Sequence, residues 1–133
     1  MTVLVDTNIV LDIVTNDPLF KLWSLGQMNR LAMIEDLAIN DVVFAELAPG
    51  FDEFEKLTDA VDSMGLDVRP IPRAALYLAG RVHQEYRSRG SKREGVLPDF
   101  FIGAQAAVEG LPLLTRDTKR FRTYFPGLKL IAP

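Results

Sequence analysis

At 133 residues the chain is long enough for one domain with a full hydrophobic core, and 48% apolar against 25% charged residues is the balance of an ordinary globular protein. It has no cysteine and a single histidine, His83, which excludes disulfides and thiolate metal sites and argues against a histidine-rich zinc centre. The net charge of −3 is unlike that of a general nucleic-acid coat protein, no apolar run approaches the roughly 18 residues needed to span a membrane, and Met1–Val5 lacks the basic lead and cleavage site of a signal peptide, so a cytoplasmic location is expected.

The first element is the β-branched run Thr2–Val5, which reads as a buried strand ending at Asp6. Thr7 is the expected cap of a helix through Val14, and Pro18 suits the first turn of a second helix over 18–34, with Leu22, Leu25, Met28 and Ala32 on its apolar face. Leu37–Asn40 is a second strand, and Asp41 is the expected cap of a helix to Leu47 that Pro49 and Gly50 stop. Phe54, Leu57, Val61 and Met64 recur at helical spacing, so the chain is helical over 52–64; Leu66–Ile71 is a third strand. Pro72 opens a long helix to Ser88, striped by Ala75, Ala79, Val82 and Tyr86. A polar loop over 89–96 leads to a helix from Pro98 to Glu109, then a strand at Pro112–Thr115, a helical turn over 117–123 and a fifth strand at Leu128–Ile131. Strands alternating with helices imply a single α/β domain, a three-layer α/β/α sandwich around a mostly parallel five-stranded sheet.

Ligands of open parallel sheets bind at the carboxyl ends of the strands. Asp6 directly follows the first strand, and Asp117 lies two residues after the fourth. Asp99 is in the first turn of the helix opened by Pro98, and Glu46 is an acid in the apolar context Val42–Leu47. Taken singly, each has a plain structural role: a cap, a partner of the helix dipole, or a solvent-facing side chain. Brought together, the four would repel one another unless a cation lay among them. Oxygen-only donors select a hard ion, Mg²⁺ or Mn²⁺, over zinc. Such an ion binds phosphate oxygens and activates water, which makes phosphodiester hydrolysis the candidate chemistry.

The same residues carry a family resemblance. Val5-Asp6-Thr7-Asn8 resembles the opening motif of PIN domains, Ile39–Leu47 the second with Glu46 as its acid, Leu97–Ala106 the third with Asp99, and Leu114–Phe121 the fourth with Asp117. All four occur in order across nearly the whole chain. The subfamily it looks most like is that of the VapC-like toxins of bacterial toxin–antitoxin pairs. The resemblance implies a Mg²⁺-dependent endoribonuclease that cuts tRNA or rRNA, is silenced by a cognate antitoxin protein, and is usually a homodimer. It also implies that Asp6, Glu46, Asp99 and Asp117 bind the metal, directly or through water, and that Asn8 and Thr115 support the acids by hydrogen bonds. Asp41 departs from the Ser or Thr that the family often has before the second-motif helix.

Eight of the 15 basic residues fall between Arg87 and Arg122. Arg87, Arg89, Lys92, Arg93 and Arg116 are the candidate contacts to an RNA backbone, which predicts salt-sensitive binding. Gly103, four residues after Asp99, is either a point of close helix–sheet approach or ordinary helix packing. Phe20, Trp23 and Met28 read as core, with an antitoxin groove as the alternative, and His83 as a helix-surface or packing residue. The competing reading of the whole is a non-catalytic PIN-like scaffold, although such modules usually lose one or more of the acids.

Overall fold

The computed structural model describes residues 1–90 and 97–133. Lys92 and Arg93 lie outside the described residues. The strands are β1 (Thr2–Val5), β2 (Asp36–Asn40), β3 (Leu66–Arg69), β4 (Leu113–Leu114) and β5 (Leu130–Ile131). They form one sheet in the order β3-β2-β1-β4-β5, and every pairing is parallel. The helices are α1 (Thr7–Val14), α2 (Lys21–Ala32), α3 (Asp41–Leu47), α4 (Phe54–Ser63), α5 (Arg73–Ser88), α6 (Leu97–Glu109) and α7 (Lys119–Tyr124), with a 3₁₀ turn at Ala48–Gly50.

Val3, Leu4 and Val5 are buried one after another, as are Leu37, Ala38 and Ile39. Consecutive burial means that both faces of the sheet are covered, which is the three-layer sandwich expected from the alternation of elements. Each of these aliphatic side chains contributes on the order of 1.5–3 kcal/mol by leaving water. The centre of the sheet, β1 between β2 and β4, therefore holds the edge from which Asp6 projects.

The helix stripe of α5 is as the periodicity predicts: Ala75, Ala79, Val82 and Tyr86 are its buried residues. That of α2 is not. Its buried residues are Ser24, Met28 and Leu31, and Leu22 is 85% exposed. Hydrophobicity alone points to the wrong face because the polar Ser24 faces inward, where its hydroxyl donates to Asp12 Oδ2 at 2.6 Å. Two caps also differ from expectation. Asp6, not Thr7, caps α1: its backbone is extended and its Oδ1 accepts from the Thr7 amide at 2.7 Å. Asn40, not Asp41, caps α3, accepting from the Val43 amide at 2.9 Å. In both cases the chain turns from strand to helix within one residue, so the last strand-end residue is the one with the extended backbone that a cap requires. Left-handed glycines, Gly65 and Gly110, close α4 and α6.

Candidate metal centre

Asp6 is placed by the sheet itself. Its amide donates to Leu114 O at 2.9 Å, which extends the β1–β4 pairing by one residue and fixes the carboxylate at the strand edge. Thr115, the residue after β4, donates its hydroxyl to Asp6 Oδ2 at 2.7 Å. Asn8 Nδ2 donates to the same oxygen at 3.2 Å, and Asn8 Oδ1 accepts from the Arg116 amide at 3.2 Å. Asn8 and Thr115 thus both donate to one carboxylate oxygen of Asp6. Thr115 Oγ1 also accepts from the Asp117 amide at 3.0 Å, so one hydroxyl couples Asp6 to the loop bearing Asp117.

The other acids approach from the helices. Glu46, on the last turn of α3, accepts from Thr7 Oγ1 at 2.7 Å. Asp99, in the first turn of α6, accepts from Arg120 Nη1, and that same nitrogen lies 3.9 Å from Asp117 Oδ2. Burial pushes the Asp6 carboxyl up to about 7; the hydrogen bonds from Thr115 and Thr7 oppose this, and the charges of Asp99 and Glu46 add to it. Burial likewise raises Asp99, helped by Glu46 and Asp117 and opposed by Arg120. Asp6 thus lies in the fields of Asp99 and Glu46, and Asp99 in those of Glu46 and Asp117.

Among the described residues no three Asp, Glu or His side chains stand as ligands about one point. Asp99 is turned onto Arg120, Glu46 onto Thr7, and Asp6 onto Thr115 and Asn8. The donor set nonetheless fits a divalent ion of the Mg²⁺ type. Every candidate ligand atom is a carboxylate oxygen, the carboxylates repel, and a cationic group, the Arg120 guanidinium, already lies against two of them.

Of the expected RNA contacts, Arg87 and Arg89 are exposed at the end of α5; Arg89 pairs with Glu85 and lies 5.5 Å from the Tyr124 ring. Arg116 is different. Its Nε and Nη2 donate to the buried Asp12 at 2.6 and 2.8 Å, and its guanidinium stacks 4.1 Å over Phe20. The Asp12 hydrogen bond pushes the Arg116 pKa still higher. With that edge of the guanidinium occupied, Arg116 ties the Asp117 loop to α1. Gly103 makes room for α7, not for the sheet: a Cβ there would lie 2.6 Å from the Phe125 ring and 3.2 Å from Phe121. His83 packs, as expected, against Tyr86 and Phe100.

Four residues that matter to this geometry were not singled out from sequence: Asp12, Asn40, Gln105 and Arg120. A signal existed for two. Asp12 falls four residues after Asn8 in the otherwise apolar run Ile9–Val14, and Gln105 is the polar member of the run Phe100–Ala106.

The PIN domain model matches residues 3–125, and the chain belongs to the PIN domain family, a family of nucleases. No curated protein matches it in sequence. Among solved structures it is similar to a chain of VapBC2 from Rickettsia felis, solved with a DNA fragment from the promoter, at 22% identity and a TM-score of 0.75 over 99% of this chain and 98% of that one. It is similar to a chain of DNA-bound VapBC from Salmonella typhimurium at 20% identity and a TM-score of 0.72, covering 99% and 98%. A toxin–antitoxin complex from Klebsiella pneumoniae gives 24% identity and a TM-score of 0.67, covering 97% and 95%. These likenesses extend over whole chains and establish the shared fold.

Proposed function

We propose that the chain is a divalent-metal-dependent endoribonuclease, the toxin of a toxin–antitoxin pair. The observation that carries this is the convergence of Asp6, Glu46, Asp99 and Asp117, each within reach of another's charge, at the carboxyl edge of a parallel PIN-domain sheet. A bound Mg²⁺ or Mn²⁺ would supply a water of lowered pKa and neutralise charge on the scissile phosphate. Asp6 and Asp99 are the ligands of first rank. Glu46 and Asp117 complete the set directly or through water. Asn8 and Thr115 keep Asp6 from rotating, so its carboxylate is pre-oriented before substrate arrives. Hydrolysis in this geometry leaves a 5′-phosphate and a 3′-hydroxyl. Arg87 and Arg89, exposed at the end of α5, hold the RNA backbone, together with Lys92 and Arg93 of the following segment.

The antitoxin reading is supported by the kind of complex in which the structural relatives were solved and by the apolar side chains offered to a partner. Leu19, just before α2, and Leu22, in its first turn, are 81% and 85% exposed. A homodimer is the expected form of the free toxin. Among the described residues no helix is long and apolar enough to cross a membrane.

Incubating the purified chain with tRNA and rRNA in Mg²⁺, with and without a chelator, tests the proposal. Chelator-sensitive cleavage that Asp6→Asn abolishes is the expected result. Cleavage that persists in Asp6→Asn, or is indifferent to the chelator, refutes it.

A further inference from the structure

We infer that Arg120 is an internal counter-cation of the acidic site, holding Asp99 and Asp117 in the metal-free chain and competing with a divalent ion for the same carboxylates. This rests on the metal-dependent reading above and assigns a residue that sets how tightly the ion is held.

Of the basic residues of α7, Lys119 and Arg122 are exposed, whereas the Arg120 side chain is only 13% exposed and turned into the site. It cannot easily turn away. Phe121 of this short helix and Phe125 just after it, four residues apart on one face, are buried, and Phe125 fits against Gly103 of α6, the helix that carries Asp99. The helix pair is thus locked at the point where Arg120 meets Asp99. Nη1 donates to Asp99 Oδ2 and lies 3.9 Å from Asp117 Oδ2, so one nitrogen addresses both acids. A guanidinium keeps its charge at any working pH, so this compensation is permanent.

Two consequences oppose each other. In the metal-free chain the guanidinium offsets the repulsion among carboxylates, to the extent that Arg120 is the largest influence drawing Asp99 back toward its ionised form. When an ion binds, that ion must displace the guanidinium from an Asp99 lone pair or share the carboxylate with it, and it meets a fixed positive charge nearby. Removing the charge therefore weakens the metal-free fold and tightens metal binding. A residue with a merely structural role would give the opposite sign for binding, because its loss would only loosen the site.

Calorimetric titration of Mg²⁺ and of Mn²⁺ into wild type, Arg120→Met and Arg120→Gln decides this, with thermal melting of each metal-free protein alongside. Both variants are expected to bind Mn²⁺ about tenfold tighter, as removal of one nearby unit charge implies. Both should melt lower without metal and gain more from its addition. The Gln variant keeps an N–H donor for Asp99, so it carries the test if the Met variant does not fold. Folded variants that bind the ion no more tightly than wild type overturn this inference alone. Failure of wild type and variants alike to bind either ion overturns the metal-dependent reading beneath it.

Discussion

Asn40 Nδ2 donates to Gln105 Oε1 at 3.0 Å, and both side chains are fully buried. Asn40 also caps α3, whose last turn carries Glu46, while Gln105 lies on α6, whose first turn carries Asp99. One hydrogen bond therefore sets the spacing of two helices that each deliver an acid. Gln105 reaches further, donating to Pro70 O at 3.1 Å and to Glu109 Oε2 at 3.2 Å, and Arg69 completes the chain by donating to Glu109 at 2.9 Å.

Gln105→Leu, close in volume, should remove these links without opening a large cavity. It strands the Asn40 amide nitrogen in the core, so the expected cost is about 1–3 kcal/mol in urea denaturation. Metal affinity should fall in the same variant, because Glu46 and Asp99 lose their common reference. Unchanged affinity in a destabilised Gln105→Leu protein would limit the bridge to a role in stability.

The Asp6 carboxyl predicts an unusual pH dependence. Its folded-state pKa of about 7 lies above its ordinary value of 3.8, so between these limits the folded chain holds a proton that the unfolded chain has released. The stability that this carboxyl contributes to the metal-free protein should be fully present below pH 4, decline as pH rises through 4 to 7, and be gone above that, a loss on the order of a few kcal/mol. In Asp6→Asn that decline should largely vanish, leaving the smaller one from Asp99, whose pKa is raised in the same sense. Denaturation midpoints from pH 4 to 8, measured in chelator, check both curves.

Much of this arrangement was legible in the sequence because it rests on local patterns. The strand Thr2–Val5 is an unbroken apolar run, the α5 stripe repeats at helical spacing, and the four acids fall at strand ends or helix turns. What the sequence hid was polar burial. Ser24 looks like a surface residue until Asp12 gives it a partner, and Arg116 looks like a free cation until the same Asp12 takes it. These are pairings across 12 and 104 residues of chain, and no periodicity reports them. The position of Arg120 was hidden for the same reason, since its partner Asp99 lies 21 residues away.

Gly103→Ala tests how tightly α7 is docked. The added methyl would lie 2.6 Å from two Phe125 ring carbons, a distance that real contacts do not reach, so the ring or the helix must move. The expected cost is about 1–3 kcal/mol for overpacking. Phe125→Leu in the same protein should recover part of it by giving the methyl room. A Gly103→Ala protein as stable as wild type would mean that α7 shifts freely, and the fixed placement of Arg120 would go with it.

The pair formed by Asp12 and Arg116 makes an asymmetric prediction. Asp12 is 2% exposed, while the Arg116 side chain is 27% exposed with its guanidinium over Phe20. Removing the arginine leaves a buried carboxylate with only the Ser24 hydroxyl as a neutral partner, so Arg116→Met should cost about 3 kcal/mol or more. Removing the acid lets the guanidinium turn to solvent at a smaller price in charge, so Asp12→Asn should cost less, about 1–2 kcal/mol, because the amide still satisfies Ser24. The double variant should be more stable than Arg116→Met alone, since the stranded charge is gone. A urea-denaturation cycle on the three proteins measures the coupling. Equal costs for the two single variants would mean that Arg116 acts through its stacking on Phe20 and not through its charge.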